Sequence, residues 1–273
     1  SLILLVLLTT TFLSGPAALL HGLTPKISFI AWLLIIFAYY VLATVLPIDK
    51  IIGKLYPIFG VILIIMAVSI TGAIIILPKY SIPEISFKNL HPDKLPIWPF
   101  MFITVACGSI SGFHATQSPM MAKCITSEKA GRKVFYGAML IESVIALVWA
   151  SAGVAFYETT KILGQALTNL GQSGTVYEIS KQMLGNLGGI LAIVGVVICP
   201  ITSGDTAFRS ARLILAEWTG LDQKNSVNRL IITIPLLGVG GILTQLDFNI
   251  LWRYFSWSNQ TLAMIALWVS TSY

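Results

Sequence analysis

Charge is what this 273-residue chain has least of. Asp, Glu, Lys and Arg make up 10% of it, against 56% hydrophobic residues and a mean hydropathy of +0.86. Soluble domains carry about a quarter charged residues, so a water-soluble fold is excluded and the lipid bilayer is the expected surrounding. Cysteine is scarce too: Cys107, Cys124 and Cys199 are odd in number and lack CxxC or Cys/His spacing. They read as small packing residues and leave no metal site. HExxH, P-loop, GxSxG and Rossmann glycine patterns are all missing, and Gly108-Ser-Ile-Ser-Gly112 lacks the strand-turn-helix context of a nucleophile elbow. We therefore expect no enzyme, no catalytic residues and no cofactor. The net charge of +6 comes without a basic stripe on a soluble face, so nucleic acid is not an expected partner.

What is present is a series of apolar runs near the ~20 residues an α-helix needs to cross a bilayer. Eight candidate spans follow: Ser1 to Leu13 (short), Ile27 to Leu46, Pro57 to Leu77, Trp98 to Ser118, Val134 to Tyr157, Leu187 to Phe208, Leu230 to Gln245 and Ile250 to Ser270. The fold class expected is all-α, a polytopic membrane helix bundle forming one transmembrane domain over residues 1–273. No basic n-region precedes Ser1 to Leu13, so a signal peptide is a poor reading. That run reads as the truncated or mid-protein start of a span, and an incomplete chain is expected.

Basic residues set the orientation. If the first span runs outward, the cytoplasmic loops are 47–56, 119–133 and 209–229, and they hold ten of the 17 Lys and Arg residues. Lys123, Lys129, Arg132 and Lys133 in one short loop weigh most. The positive-inside rule then puts both ends of the chain in the cytoplasm. Of the external loops, 79–97 is punctuated by Pro83, Pro92 and Pro96, and Thr175 to Leu184 is expected to form a short surface helix after Gly171 to Gly174.

Helix breakers inside spans are the informative residues, because an unpaired backbone group in hydrocarbon costs several kcal/mol. The fourth span runs into Cys107-Gly-Ser-Ile-Ser-Gly-Phe-His-Ala-Thr-Gln-Ser-Pro119. One reading is a discontinuous helix that binds substrate through Gly108, Ser109, Ser111, Gly112, His114 and Gln117. The other is close helix packing through small residues, with hydroxyls bonded to their own carbonyls; it leaves His114 and Gln117 unexplained. The sixth span repeats the pattern in Cys199-Pro-Ile-Thr-Ser-Gly-Asp-Thr-Ala-Phe-Arg209, where Pro200 and Gly204 loosen the backbone beside Ser203, Asp205 and Thr206. Asp205 and Arg209 are spaced to pair on one helix face. Asp205 is either a cap at the membrane surface or, with Thr206, part of a cation or proton site. In the last span Asn259 and Gln260 must face the bundle, to join helices or to touch substrate. Glu142 is the one carboxylate in the middle of a span, a candidate proton carrier or ion ligand, or a buried partner of a broken neighbour.

Ala106-Cys-Gly-Ser-Ile-Ser-Gly-Phe-His-Ala-Thr-Gln-Ser-Pro119, Gly137-Ala-Met-Leu-Ile-Glu-Ser143, Asp205-Thr-Ala-Phe-Arg-Ser-Ala-Arg212 and Ser258-Asn-Gln-Thr-Leu-Ala263 together resemble the carbon starvation protein A family of bacterial transporters. The resemblance runs in order from roughly residue 30 to residue 270. It implies a LeuT-like fold of the amino acid, polyamine and organocation superfamily, with discontinuous helices, in the bacterial inner membrane. It also implies uptake of peptides or of a small carboxylate such as pyruvate, coupled to a proton or monovalent cation, during carbon starvation. Members are longer, with N-terminal spans absent here, and Thr116-Gln-Ser-Pro departs from some of them. On the transport reading, the breaks at 108–119 and 200–206 converge on one cavity. The alternative is a channel or membrane-embedded nutrient sensor without concentrative transport. An enzyme would need His114 to meet Glu142 or Asp205.

Overall fold

The computed structural model describes residues 1–45, 49–84, 86–91, 94, 96–98, 101 and 108–273. These are helices and connecting turns, with no strand among the described residues. The helices are α1 (Leu2–Leu23), α2 (Phe29–Val45), α3 (Asp49–Ile76), α4 (Gly112–Ala122), α5 (Glu128–Phe156), α6 (Thr160–Ile193), α7 (Cys199–Thr219), α8 (Ser226–Leu243) and α9 (Phe248–Ser272). Two of them contain or adjoin π-helical stretches, Arg132–Gly137 within α5 and Val194–Ile198 between α6 and α7.

Five helical stretches among the described residues are long and apolar enough to cross a membrane: α1, Tyr56–Ile76 of α3, α5, the run Thr160–Thr219 and α8. Helix α2 is apolar but shorter, and α9 has the length but carries Arg253, Asn259 and Gln260. The first expected span, Ser1 to Leu13, extends through Pro16 to Leu23. Most of the first half of the expected fourth span, with Cys107, lies outside the described residues.

Two corrections concern helix ends. The expected cytoplasmic loop 209–229 does not begin at residue 209, because α7 continues to Thr219 and carries Arg209 and Arg212 as helical residues. Ser210 and Ala211 between them are buried, so packing extends this helix past the point where its hydropathy falls. The expected external loop before Thr175 is likewise helical from Thr160, whose N-cap Thr159 accepts a hydrogen bond from the Ile162 amide. Within α6, Gly171 and Gly185 adopt φ of 68° and 66°, a left-handed backbone suited to glycine. They divide the helix into three pieces, and the middle one contains the helix expected at Thr175 to Leu184.

The helices form two compact units. Unit 1 holds Ser1–Lys54, Ile110–Gly137 and Pro200–Tyr273. In its core Leu4, Leu5, Leu8 and Leu13 of α1 pack with Tyr40 of α2, Phe208 of α7, Leu237 of α8 and Phe255 of α9. Tyr40 and Phe208 stack with ring centroids 6.2 Å apart. Unit 2 holds Leu55–Ser109 and Ala138–Cys199, with Met66 and Ile70 of α3 packed with Ala152 and Ala155 of α5 and Ile179 and Met183 of α6. Val68 and Ile75 of α3 and Val144 and Leu147 of α5 are exposed, an outer face that suits lipid rather than water. The chain passes between units at Ser109/Ile110, Gly137/Ala138 and Cys199/Pro200 as well as in α3. The first of these is a break in the helix, and the other two directly follow the π-helical stretches.

Candidate functional site

The sequence expected a broken helix between Cys107 and Pro119. Gly108 and Ser109 are helical, the backbone bends at Ile110, and Ser111 is extended (φ −87°, ψ 140°) before α4 starts at Gly112. A helix that restarts leaves its first amides without intrahelical acceptors. Ser111 Oγ accepts from the Phe113 amide at 3.2 Å, and His114 Nδ1 accepts from the Ser111 amide at 3.2 Å, forming a capping box. Because a backbone N–H is the donor, Nδ1 is the acceptor of this bond. Asn259 of α9 completes the cap from a distant part of the chain. Its Oδ1 accepts from Ser111 Oγ at 2.9 Å and from the Phe113 amide at 3.0 Å, and the residue is 0% exposed.

Gly112 owes its place to the backbone of the same residue, since a Cβ there would overlap the Asn259 main-chain carbonyl oxygen and crowd Leu262. Asn259 therefore joins helices, one of the two roles left open for it, and does so at the broken end of α4. Gln260 follows it, half-buried on the same helix.

One turn further along α4, Gln117 Nε2 donates to Ser210 Oγ of α7 at 3.0 Å. Ser210 in turn donates to the Thr206 carbonyl at 3.0 Å, and Thr206 Oγ1 to the Ser203 carbonyl at 2.9 Å. The Arg209 guanidinium donates to Asp205 at 3.4 Å, as the i, i+4 spacing anticipated. Asp205 is buried and Arg209 is about a third exposed, and Tyr39 of α2 lies within electrostatic range of both. Gly204 is packed so closely that a Cβ would overlap the Tyr40 hydroxyl. Gln117 thus joins the restarted helix α4 to α7 within unit 1, and α7 runs as continuous helix through Pro200 and Gly204, so the break expected at 200–206 is corrected; the irregular stretch is the π-helical Val194–Ile198 before it.

The remaining candidates fall in unit 2. Gly108 and Ser109 end the helix before the break, and the Gly108 carbonyl lies 3.5 Å from the Ser143 hydroxyl, which donates to the Met139 carbonyl of its own helix at 2.8 Å. Glu142 is exposed on α5, so the burial expected for it is corrected. The ion-coupling candidates accordingly divide, with Asp205 and Thr206 in unit 1 and Glu142 in unit 2. Among the described residues no cluster of His, Cys, Asp and Glu is suited to a metal ion.

Two polar groups escaped the sequence reading. Thr9, Thr10, Thr11 and Ser14 of α1 are buried, and each donates to a carbonyl of its own helix, with Thr10 also 3.5 Å from the Gly240 carbonyl. The run Thr9-Thr-Thr and the pair Gly15-Pro16 were the available signal. In unit 2, the Tyr157 hydroxyl donates to Glu178 at 2.5 Å. Burial, then the bond to the Glu178 carboxylate and its charge, push this phenol well above its ordinary pKa.

An all-helical, multi-pass membrane protein with a broken helix recapped within a packed unit is the class these features define. The chain belongs to the carbon starvation protein CstA family, whose model matches residues 1–162. It is 44% identical over 155 residues to an "uncharacterized membrane protein" of Haemophilus influenzae, covering 50% of this chain and 42% of that one. To the peptide transporter CstA of Escherichia coli it is 26% identical over 269 residues, covering 72% of this chain and 38% of the relative. To the pyruvate/proton symporter BtsT of the same organism it is 36% identical over 117 residues, covering 38% of this chain and 16% of the relative. The chain thus spans less than half the length of each of these three relatives. No solved structure matches it.

Proposed function

We propose that this chain is part of a secondary active transporter that imports a peptide or a small carboxylate such as pyruvate, driven by a proton or cation gradient, across the bacterial inner membrane. Both ends of the chain are assigned to the cytoplasm, and the setting is carbon starvation. The observation that carries the reading is the interruption at Ile110–Ser111. A membrane helix loses backbone hydrogen bonds there, and Ser111, His114 and buried Asn259 replace them. Nonhelical backbone at membrane depth is kept where it is buried in protein or lines a site. Relatives named as a peptide transporter and a pyruvate/proton symporter support the same reading.

In this account the fold is of the LeuT-like kind. Substrate meets the broken segment at Gly108, Ser109, Ser111, Gly112, His114 and Gln117, with Ser203 and Gln260 nearby. Asn259 shapes the segment rather than competing for the substrate. Asp205 and Thr206 are the coupling candidates in unit 1, and Glu142 is a separate candidate in unit 2.

The test is uptake by proteoliposomes of the complete protein, using labelled pyruvate and dipeptides under an imposed proton or sodium gradient. Accumulation above equilibrium, abolished by dissipating the gradient, is the expected outcome. Equilibration without accumulation favours a channel, and binding without entry favours a sensor. Retention of gradient-driven uptake by both Glu142→Gln and Asp205→Asn would remove these carboxylates from the coupling step.

A further inference from the structure

We propose that Lys123, Lys129, Arg132 and Lys133 hold the phosphate headgroup of an anionic phospholipid against the start of α5. The inference concerns the membrane around the protein and does not depend on the transport reading.

The case begins with the length of α5. Glu128–Phe156 is one apolar candidate span of 29 residues. At ~1.5 Å per residue it reaches about 43 Å, some ~13 Å more than the ~30 Å hydrocarbon core of a bilayer. That excess corresponds to about nine residues of helix. Apart from Glu142, every charged residue of α5 falls between Glu128 and Tyr136, so this end of the helix stands at headgroup level.

Within that end the charges are arranged against the helix itself. Lys129 lies three residues from Arg132 and four from Lys133, the spacings at which helical side chains meet, and like charges so placed repel. All three sit near the N-terminus, the end that the helix dipole makes unfavourable for cations. Glu128 is the acidic residue of the first turn. Lys123, directly after α4, lies five residues before Glu128, at most ~18 Å of extended chain. All four side chains are exposed, and among the described residues none of them is paired with a carboxylate. An external anion would relieve both the repulsion and the dipole.

The neighbours of these cations say which anion fits. Met121, Val134 and Tyr136 are exposed in the same stretch, and all of these residues belong to unit 1. Tyrosine suits the membrane interface, with an apolar ring and a hydroxyl that stays wet. A phospholipid offers a phosphate to the cations and glycerol and acyl carbons to the apolar groups, which a soluble polyanion would leave uncovered. Orientation by the positive-inside rule uses these charges during insertion. Afterwards they remain concentrated beside a span, where four or more Lys and Arg residues attract anionic lipid.

The experiment uses the complete protein in neutral detergent, mixed with equal amounts of phosphatidylglycerol and phosphatidylcholine, with retained lipids counted by native mass spectrometry. Wild type should retain phosphatidylglycerol in preference. Each cation near an anionic surface contributes roughly a factor of five. Combining Lys123→Gln, Lys129→Gln, Arg132→Gln and Lys133→Gln should therefore weaken phosphatidylglycerol retention at least ~10-fold, even with overlapping contributions. A control combining Lys26→Gln, Lys88→Gln, Lys161→Gln and Lys224→Gln removes as much charge and should keep the preference. Equal retention of the two lipids by wild type overturns the proposal, and that comparison needs no variant to fold. An unchanged preference in the first variant also overturns it. An equal loss in the control does so too, because net charge alone would then attract the lipid. Displacement of the lipid by glycerol phosphate at matched concentration would mark a site for free phosphate and likewise end the proposal.

Discussion

Truncating Asn259 to alanine should destabilise the protein by about 2–4 kcal/mol. The Asn259 side-chain Oδ1 accepts two hydrogen bonds, from Ser111 Oγ at 2.9 Å and from the Phe113 amide at 3.0 Å. Each is worth about 0.5–1.5 kcal/mol net, and more when the donor is left buried without an acceptor. The Phe113 amide keeps a second acceptor in Ser111 Oγ at 3.2 Å, which limits its share of the loss. The residue is 0% exposed, so water cannot enter freely to replace the amide, and the void adds a packing cost. Ser111→Ala should cost about 1 kcal/mol as the loss of an N-cap. Because the Ser111–Asn259 bond disappears in either single variant, the double variant should lose about 0.5–1.5 kcal/mol less than the sum. The assay is denaturant titration of the purified protein in mixed micelles, followed by circular dichroism, for wild type, both singles and the double. An Asn259→Ala loss below about 0.5 kcal/mol, or strict additivity, would refute the cap assigned to Asn259.

Gly112→Ala should cost about 1–3 kcal/mol, since its methyl group overlaps the Asn259 carbonyl, whereas Gly108→Ala, whose Cβ would lie 3.1 Å from that of Ala146, should cost clearly less in the same titration. Gly204→Ala should destabilise by a similar amount to Gly112→Ala, and adding Tyr40→Phe should recover part of the loss by removing the hydroxyl that the methyl group meets; no recovery would contradict the close approach. The raised Tyr157 phenol predicts a stability term with a definite sign. The fold favours the protonated phenol, so the term is fully present below the unfolded phenol pKa of ~10 and is lost as pH rises through the higher folded value. Stability should therefore decline more steeply above about pH 10 in wild type than in Tyr157→Phe, and parallel curves would rule this out.

Much of the fold was legible because its signals are local. Long apolar runs placed most of the helices, and the density of Gly, Ser, His and Gln between 107 and 119 located the break. The Asp205–Arg209 pair followed from i, i+4 spacing alone. What escaped depended on distant partners. Close packing through small residues was one reading of Gly112, but its partner was out of sight in the sequence: the α9 backbone at Asn259 leaves no room there for a side chain. Arg209 and Arg212 looked like loop residues because hydropathy falls at that point, yet α7 continues as a buried helix. Glu142 was open to reading as a buried group of its span, and it is exposed on α5. Residues 9–16 of α1 passed for a plain apolar segment because their threonines satisfy themselves within the helix.

The cap on α4 also constrains the order in which the protein can be made. Ser111 and Phe113 leave the ribosome almost 150 residues before Asn259, and insertion proceeds from the N-terminus. Until α9 arrives, the restart of α4 lacks the acceptor that Asn259 supplies and keeps its own Ser111–His114 box. Its final geometry is set by a helix made long after it. A ribosome halted before residue 259 therefore leaves an inserted but unfinished intermediate, with its polar backbone open at the point where the finished protein is most tightly closed.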